Sequence, residues 1–247
     1  KRPGLQPWGL PVVAETYDGF LNDINGFHVK PTHAIAALDG ASGGRVAEGN
    51  VGGGTGMVCL QFKGGIGTAS RVLDAERGGY TVGVLVQCNF GLRPNLRVAG
   101  VPVGLEIPDL LPCIASSDPA VRPQTPRCGA PTPGGARPPE EAGSIIAVVA
   151  TDAPLLPHQL KRIATRVALG VGRSGGIGGN GSGDIFVAFS TANAKAGSAE
   201  TVTKVDMLPN PKMDALFTAT VQATEEAITN ALLAAETLTG IDGARVE

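Results

Sequence analysis

The chain has 247 residues, of which 43% are hydrophobic, so it can bury a sizeable core as one large domain or two modest ones. Its formal net charge of −2 and the lack of Lys- or Arg-rich runs argue against nucleic acid or an anionic membrane as a partner. The longest apolar runs fall short of the roughly 18 residues that a membrane span needs, which leaves a small molecule as the expected partner.

The first part of the chain predicts a sheet-rich region. Residues 8–19 predict a short strand closed by a turn, and residues 32–38 predict a short helix. A glycine run at 50–56 can approach a ligand closely, but it lacks both the Walker ending and the dinucleotide spacing, so it does not indicate nucleotide binding. Three strands are then predicted, at residues 57–62, 67–73 and 80–89.

The composition changes sharply at residues 108–141. Proline is so dense in this stretch that it predicts a loop or linker and excludes a core strand or helix. The apolar run 143–151 follows directly and predicts a strand buried on both faces. Beyond it the patterns predict a helix at 158–171, a second glycine-rich loop at 174–184, a strand at 185–190 and a helix at 213–238.

Cysteine and histidine usage limits the chemistry. The four cysteines are widely spaced and form no metal-ligand pattern, so no metal site is expected. They are interpreted as reduced thiols, which favours a cytoplasmic location and leaves the periplasm open. Only three histidines occur, which gives little support to a Ser/His/Asp triad. Two Gly-x-Ser-x-Gly matches, at 40–44 and 172–176, follow predicted helices rather than the strand that a nucleophile elbow needs.

A serine hydroxyl can also be activated by its own α-amino group. When chain cleavage makes a serine N-terminal, the amine, with a pKa of about 8, lies on the same residue as Oγ and can take its proton. Gly143-Ser144 suits such a cut, because glycine permits strained backbone and the proline-rich stretch precedes it. The alternative is an ordinary loop-to-strand junction, since Gly-Ser pairs are common there.

Several sequence motifs help to decide between a self-cleaving serine and an ordinary loop-to-strand junction. In the second half they are EEAGSII at 140–146, ATDAPLLPHQLKR at 150–162 and GNGSGDIF at 179–186. Earlier stretches at 15–23, 49–57 and 86–91 agree with them. Together they resemble the L-aminopeptidase/D-esterase (DmpA-like) and β-peptidyl aminopeptidase family of self-cleaving N-terminal-serine hydrolases. The resemblance covers nearly the whole chain outside 108–141.

The resemblance implies a peptide hydrolase whose precursor cuts itself between Gly143 and Ser144. Ser144 then attacks the carbonyl of an N-terminal residue to give an acyl-enzyme, which water hydrolyses. By the same resemblance, Ser182 and Asp184 orient the nucleophile, and Asn89 donates to the oxyanion.

The resemblance also implies a substrate pocket. Glu15 is expected to hold the free ammonium group of the substrate, with Tyr17 and Trp8 lining the same pocket. The expected substrates are small peptides, amino-acid amides or esters, and catalysis needs neither metal nor organic cofactor.

The implied fold is an α/β four-layer αββα sandwich in one domain. Residues 1–143, with the linker at 108–141, would form one subunit part and 144–247 the other, and cleaved heterodimers would assemble as homo-oligomers. The family carries an N-terminal stretch that this chain lacks, so an incomplete copy is expected. Two alternatives stay open: acyl transfer of the ornithine acetyltransferase type, whose nucleophile is a threonine, and an inactive truncated remnant.

Overall fold

The computed structural model describes residues 11–130, 142–198 and 201–247. Its helices are α1 (Pro31–Asp39), α2 (Pro157–Ser174) and α3 (Asp214–Leu233). Its strands are β1 (Val58–Cys59), β2 (Phe62–Lys63), β3 (Gly65–Val72), β4 (Thr81–Asn89), β5 (Cys113–Ile114), β6 (Ala142–Thr151), β7 (Gly181–Ser182), β8 (Ile185–Ser190), β9 (Leu238–Thr239) and β10 (Ala244–Val246). Strands β3, β4, β6, β7 and β8 form the main sheet, and β5, β10 and β9 form a smaller one.

The main sheet is mixed, and its alternating side chains give it two different faces. Strand β4 pairs antiparallel with β3 and β6, while β6 pairs in parallel with β7 and β8. On one face, Val84, Ile145 and Val149 are buried in a core shared with α2 and α3. On the other face, Leu85 and Val148 are only half-buried. In this α/β arrangement the helices cover one face of the main sheet, and the other face is apolar and only half-buried.

Strand β6 therefore differs from its prediction. The run 143–151 predicts burial on both faces, yet among the described residues only one of its faces is fully covered. The strand itself, its position after the proline-rich stretch and both long helices are confirmed. Helix α2 begins at Pro157, whose missing N–H needs no partner in the first turn, and it ends at Gly175 in the left-handed conformation.

Glycines let the helix layer lie close to the sheet. A Cβ at Gly67 on β3 would collide with the backbone of Ala227 and Ala231 on α3. A Cβ at Gly170 on α2 would collide with Thr224 on α3. The short distance between layers therefore depends on these two residues, and it fixes how β4 and β6 sit under the helices.

Two disulfides correct the prediction of reduced thiols. Cys59 on β1 is bonded to Cys88 on β4, and Cys113 on β5 is bonded to Cys128. The prediction was wrong because the partners lie 29 and 15 residues apart, and only the folded chain brings them together.

The proline-rich stretch is also more ordered than predicted, as far as residue 130. Ile114 of β5 is buried in a second small core with Leu21, Ala244 and Val246. The buried guanidinium of Arg93 donates hydrogen bonds to three carbonyls of the segment just before β5, those of Ile107, Asp109 and Leu110. Residues 131–141 lie outside the described residues.

Two predicted strands of the first half, at 8–19 and 57–62, differ from their predictions within the described residues. Residues 11–19 have an irregular backbone that ends in the predicted turn. The stretch 57–62 is broken, because Leu60 and Gln61 adopt positive φ and reverse the chain between β1 and β2. Within the described residues, none of the helices is both long and apolar enough to cross a bilayer.

Candidate active site

The main sheet brings three predicted site residues together at the end of β4 and the start of β6. In the antiparallel ladder Asn89 is the partner of Ser144, and in the neighbouring parallel ladder Gly143 is the partner of Ser182. Ser144 is 6% exposed and Asn89 is 5% exposed. Backbone pairing thus places Ser144 beside Asn89, and the residue before it beside Ser182.

Gly143 has a backbone that favours glycine. Its φ is +138°, and a Cβ at this position would collide with the carbonyl oxygen of Asn89. A side chain here would therefore meet both backbone strain and a steric clash. The carbonyl oxygen of Gly143 accepts a hydrogen bond from the N–H of Gly183, with an N···O distance of 3.0 Å.

Asp184 connects the second glycine loop to the strand that carries Ser144. Its Oδ1 accepts a hydrogen bond from Ser182 Oγ at 2.7 Å and from the N–H of Ile145 at 3.3 Å. The carboxylate of Asp184 therefore joins the side chain of Ser182 to the backbone of the residue that follows Ser144. The catalytic roles of Ser144, Ser182 and Asp184 stay predictions.

The amide of Asn89 is held in a defined orientation. Its Oδ1 accepts from the N–H of Val58 at 2.8 Å, and its Nδ2 donates to the carbonyl of Tyr17 at 2.9 Å. Because an amide nitrogen carries two N–H groups, one donor is left for a further acceptor. Asn89 also ties the opening segment 11–22 to the main sheet.

Lys63 is a buried residue near the segment that bonds to Asn89, and sequence reasoning missed it. It is 1% exposed, and its Nζ donates to the carbonyls of Gly54, Met57 and Gly64. Burial lowers the pKa of its ammonium group from 10.5 to about 8. Two of the three carbonyls, those of Gly54 and Met57, precede Val58, whose N–H donates to Asn89. The only sequence signal was a lysine between apolar and glycine residues.

Thr16 is a second residue that sequence reasoning missed. Its buried hydroxyl donates to the sulfur of Met57 at 2.8 Å and accepts from Gln87 Nε2 at 2.6 Å. This contact fixes the segment 11–22 against β4, while the residues on either side of Thr16 point away from the sheet.

The predicted substrate residues are placed differently from the catalytic ones. The side chains of Glu15 and Tyr17 are exposed, Tyr17 by 60%. Only the backbone carbonyl of Tyr17 contacts the site, through Asn89. Trp8 lies outside the described residues. The described part of the chain thus assembles the bond-cutting groups without gathering Glu15 and Tyr17 into a closed pocket.

The arrangement is chemically suited to attack on a carbonyl. The carbonyl that precedes the serine accepts a backbone N–H, and a carboxylate-bound second hydroxyl lies on the neighbouring strand. These are types of group that acyl transfer uses. Among the described residues, no group of three or more His, Cys, Asp or Glu side chains is arranged to hold a metal ion.

Comparison with known proteins places this site in context. The chain is 59% identical over 249 residues to beta-peptidyl aminopeptidase BapA of Sphingosinicella microcystinivorans, covering 100% of this chain and 60% of that protein. The solved β-aminopeptidase of Burkholderia sp. is 49% identical with a TM-score of 0.79, over 99% of this chain and 63% of the other.

A third comparison is with the solved L-aminopeptidase D-Ala-esterase/amidase of Ochrobactrum anthropi, which is described as a variant of the Ntn hydrolase fold. It is 45% identical with a TM-score of 0.77, over 94% of this chain and 57% of the other. The chain therefore spans about 60% of the length of the relatives it matches, and the α/β sandwich class is confirmed. The model of peptidase family S58 matches residues 3–246. The chain belongs to peptidase family S58.

Proposed function

We propose that this chain is the self-cleaving part of an N-terminal-serine aminopeptidase, in which Ser144 is first the attacking group and then the new terminus. The observation that carries the proposal is the position of Ser144, which is buried at the sheet junction between Asn89 and the 182–184 loop. Its own preceding carbonyl, that of Gly143, is held by a hydrogen bond within the same site.

The proposed cleavage is an acyl shift followed by hydrolysis. The Oγ of Ser144 attacks the carbonyl carbon of Gly143, forming a C–O bond, and the C–N bond between the two residues breaks. The proton lost by Oγ ends on the released amine. Water then splits the ester, which gives a carboxyl group at Gly143 and restores the hydroxyl on a Ser144 that now carries a free α-amine.

The mature enzyme would then contain two pieces, 1–143 and 144–247, in one domain. The pairing of β4 with β6 joins them, because β4 belongs to the first piece and nearly all of β6 to the second. The packing of α3 against β3 and β4 joins them again.

The same groups would next act on a substrate. The free amine of Ser144 serves as its base, Ser182 and Asp184 orient it, and the remaining N–H of Asn89 donates to the oxyanion of the acyl-transfer step. Glu15 binds the ammonium group of the substrate, and Tyr17 and Trp8 contact the terminal residue. These groups need neither metal nor organic cofactor for the reaction.

The names of the relatives support the substrate class. Both relatives are named as aminopeptidases, and the second name adds an esterase and amidase activity. We therefore assign small peptides, amino-acid amides or esters as substrates, and an oligomer of cleaved heterodimers as the assembly. The two disulfides favour an oxidising compartment such as the periplasm over the cytoplasm predicted from the sequence.

The alternatives have less support. An acetyltransferase of the ornithine type uses a threonine nucleophile, whereas this chain has serine followed by a Gly-Ser-Gly-Asp loop. A non-catalytic remnant would stay in one piece, so the masses of the purified protein distinguish it from a self-cleaving enzyme.

Mass spectrometry of the whole protein tests the proposal. We expect two pieces, one ending at Gly143 and one beginning with Ser-Ile-Ile-Ala, and Ser144→Ala should abolish both cleavage and amide hydrolysis. Ser42→Ala is the matched control, because Ser42 lies exposed in the Gly-x-Ser-x-Gly match at 40–44 and should behave as wild type. Hydrolysis by a chain that stays intact would refute the N-terminal-nucleophile mechanism, and an intact inactive chain would identify the remnant.

A further inference from the structure

We propose that the backbone N–H of Gly183 is the donor that stabilises the oxyanion formed during self-cleavage. The inference rests on the proposed function and assigns to this N–H a role in one step of it. The step is the attack of Ser144 Oγ on the carbonyl carbon of Gly143, in which the π electrons of that carbonyl move onto its oxygen.

The distance fits this role. The N–H of Gly183 already donates to the oxygen of Gly143 at 3.0 Å in the uncut chain, and oxyanion donors act at 2.7–3.1 Å. As negative charge develops on that oxygen, a neutral hydrogen bond becomes a charge-assisted one, which is shorter and stronger. The donor therefore binds the transition state more tightly than the ground state, and this difference is what accelerates a reaction.

The N–H is held in place from both sides. The N–H of Ser182 donates to the carbonyl of Gly179 at 2.8 Å, which closes the turn before Gly183. After it, Asp184 is anchored by Ser182 Oγ and by the N–H of Ile145. Because Ile145 follows the nucleophile directly, the same carboxylate fixes the donor loop relative to the bond that breaks.

The other candidate donor, the amide of Asn89, already uses one of its N–H groups on a carbonyl other than that of Gly143 in the uncut chain. The amide of Asn89 donates to the carbonyl of Tyr17 and accepts from the N–H of Val58. Asn89 thus retains its proposed role toward a bound substrate, while the hydrogen bond to the scissile carbonyl comes from Gly183. The two reactions of one serine would then differ in their oxyanion donor.

Gly183 also offers a clean experiment, because alanine fits there. Its φ lies outside the left-handed region, and a Cβ would stand 3.7 Å from the Cβ of Ser144, an ordinary contact. Gly183→Ala keeps the N–H and is the reference. Lactic acid at position 183, introduced by nonsense suppression in cell-free translation, has the same side chain but replaces the N–H by an ester oxygen. Lactic acid in place of the exposed Ala192 controls for the ester itself.

We expect the lactate-183 protein to self-cleave about 10²–10³-fold more slowly than Gly183→Ala, and the Ala192 ester to cleave within about threefold of wild type. Gly183→Pro, which also lacks the N–H, should be slow as well. If either folded variant without the N–H cleaves at the alanine rate, the inference is overturned while the proposed function stands. If wild type and Gly183→Ala both stay intact, both proposals fail.

Discussion

The two halves of the candidate site are built in different ways. The bond-cutting half, defined by Gly143, Ser144 and the loop 182–184, lies on adjacent ladders of the main sheet, where backbone hydrogen bonds fix every position. The substrate half, defined by Glu15 and Tyr17, lies on an irregular segment that is attached to β4 through Thr16 and Asn89. In the first half Ser144 is buried and Ser182 and Asp184 are half-buried, whereas the side chains of Glu15 and Tyr17 are exposed.

Under the proposed function, this difference separates two reactions of Ser144. Self-cleavage would act on the chain's own peptide and would require only the bond-cutting half. Substrate hydrolysis would need both halves. Changes in the bond-cutting half should therefore affect both reactions, whereas changes in the substrate half should leave self-cleavage intact.

Asp184 gives the largest expected effect. Asp184→Ala removes a charged acceptor from Ser182 Oγ and from the N–H of Ile145, each hydrogen bond contributing about 1.5–3 kcal/mol. We expect the rate of self-cleavage, followed by gel or mass spectrometry after synthesis, to fall on the order of 10³-fold.

Asp184→Asn is the matched control, because it keeps an acceptor oxygen at the same place while removing the charge. It should cleave faster than Asp184→Ala. Equal rates for the alanine variant and wild type would show that the carboxylate has no role in the cut and would make Ser182 the only side chain of that loop worth testing.

Lys63 should make the free energy of unfolding depend on pH. Its pKa is about 8 in the folded protein and 10.5 when unfolded, so between these values the unfolded chain binds more protons. The free energy of unfolding should therefore rise with pH across this window, by roughly 3 kcal/mol in total at 1.36 kcal/mol per unit.

Urea denaturation from pH 7.5 to 10 measures this slope, and Lys63→Met should remove it. The comparison uses the difference between the two slopes, because other groups titrate in both proteins alike. A variant with the same slope as wild type would mean that Lys63 is not buried as a charged group.

Glu15 gives the smallest expected effect, and it should be confined to one reaction. Glu15→Gln is expected to lower kcat/KM for amino-acid amides about 10²-fold, from the loss of one charged hydrogen bond of about 2–3 kcal/mol, and to leave self-cleavage unchanged. N-acetylated amides, which lack the ammonium group, should be insensitive to it. Equal losses on both kinds of substrate would assign Glu15 a structural role.

The sequence indicated the bond-cutting half through the family resemblance of two short motifs, and the roles of its residues stay predictions. Gly143 and Ser144 start a recognisable apolar strand, and Ser182 and Asp184 precede the strand that pairs with it. The long amphipathic helices were equally accessible, since their spacing repeats over several turns.

What could not be predicted depends on contacts between distant residues. The disulfide partner of Cys59 and the three carbonyls around Lys63 are set by the reversal of the chain at Leu60 and Gln61, where non-glycine residues adopt positive φ. A buried lysine also contradicts the usual preference of charged side chains for the surface. The donor role of Gly183 belongs to a backbone atom that every residue except proline has, so no residue letter indicates it.

Because the two proposed pieces share the main sheet, the cleaved protein should refold differently from the uncut chain. Both disulfides lie before Gly143, so a cut after that residue leaves no covalent link between 1–143 and 144–247 among the described residues. Folding of the uncut chain is a first-order event, but reassembly of the mature protein is a second-order encounter that slows on dilution. Self-cleavage would thus make unfolding effectively irreversible in dilute solution, because the two pieces of a mature molecule separate and no longer refold together.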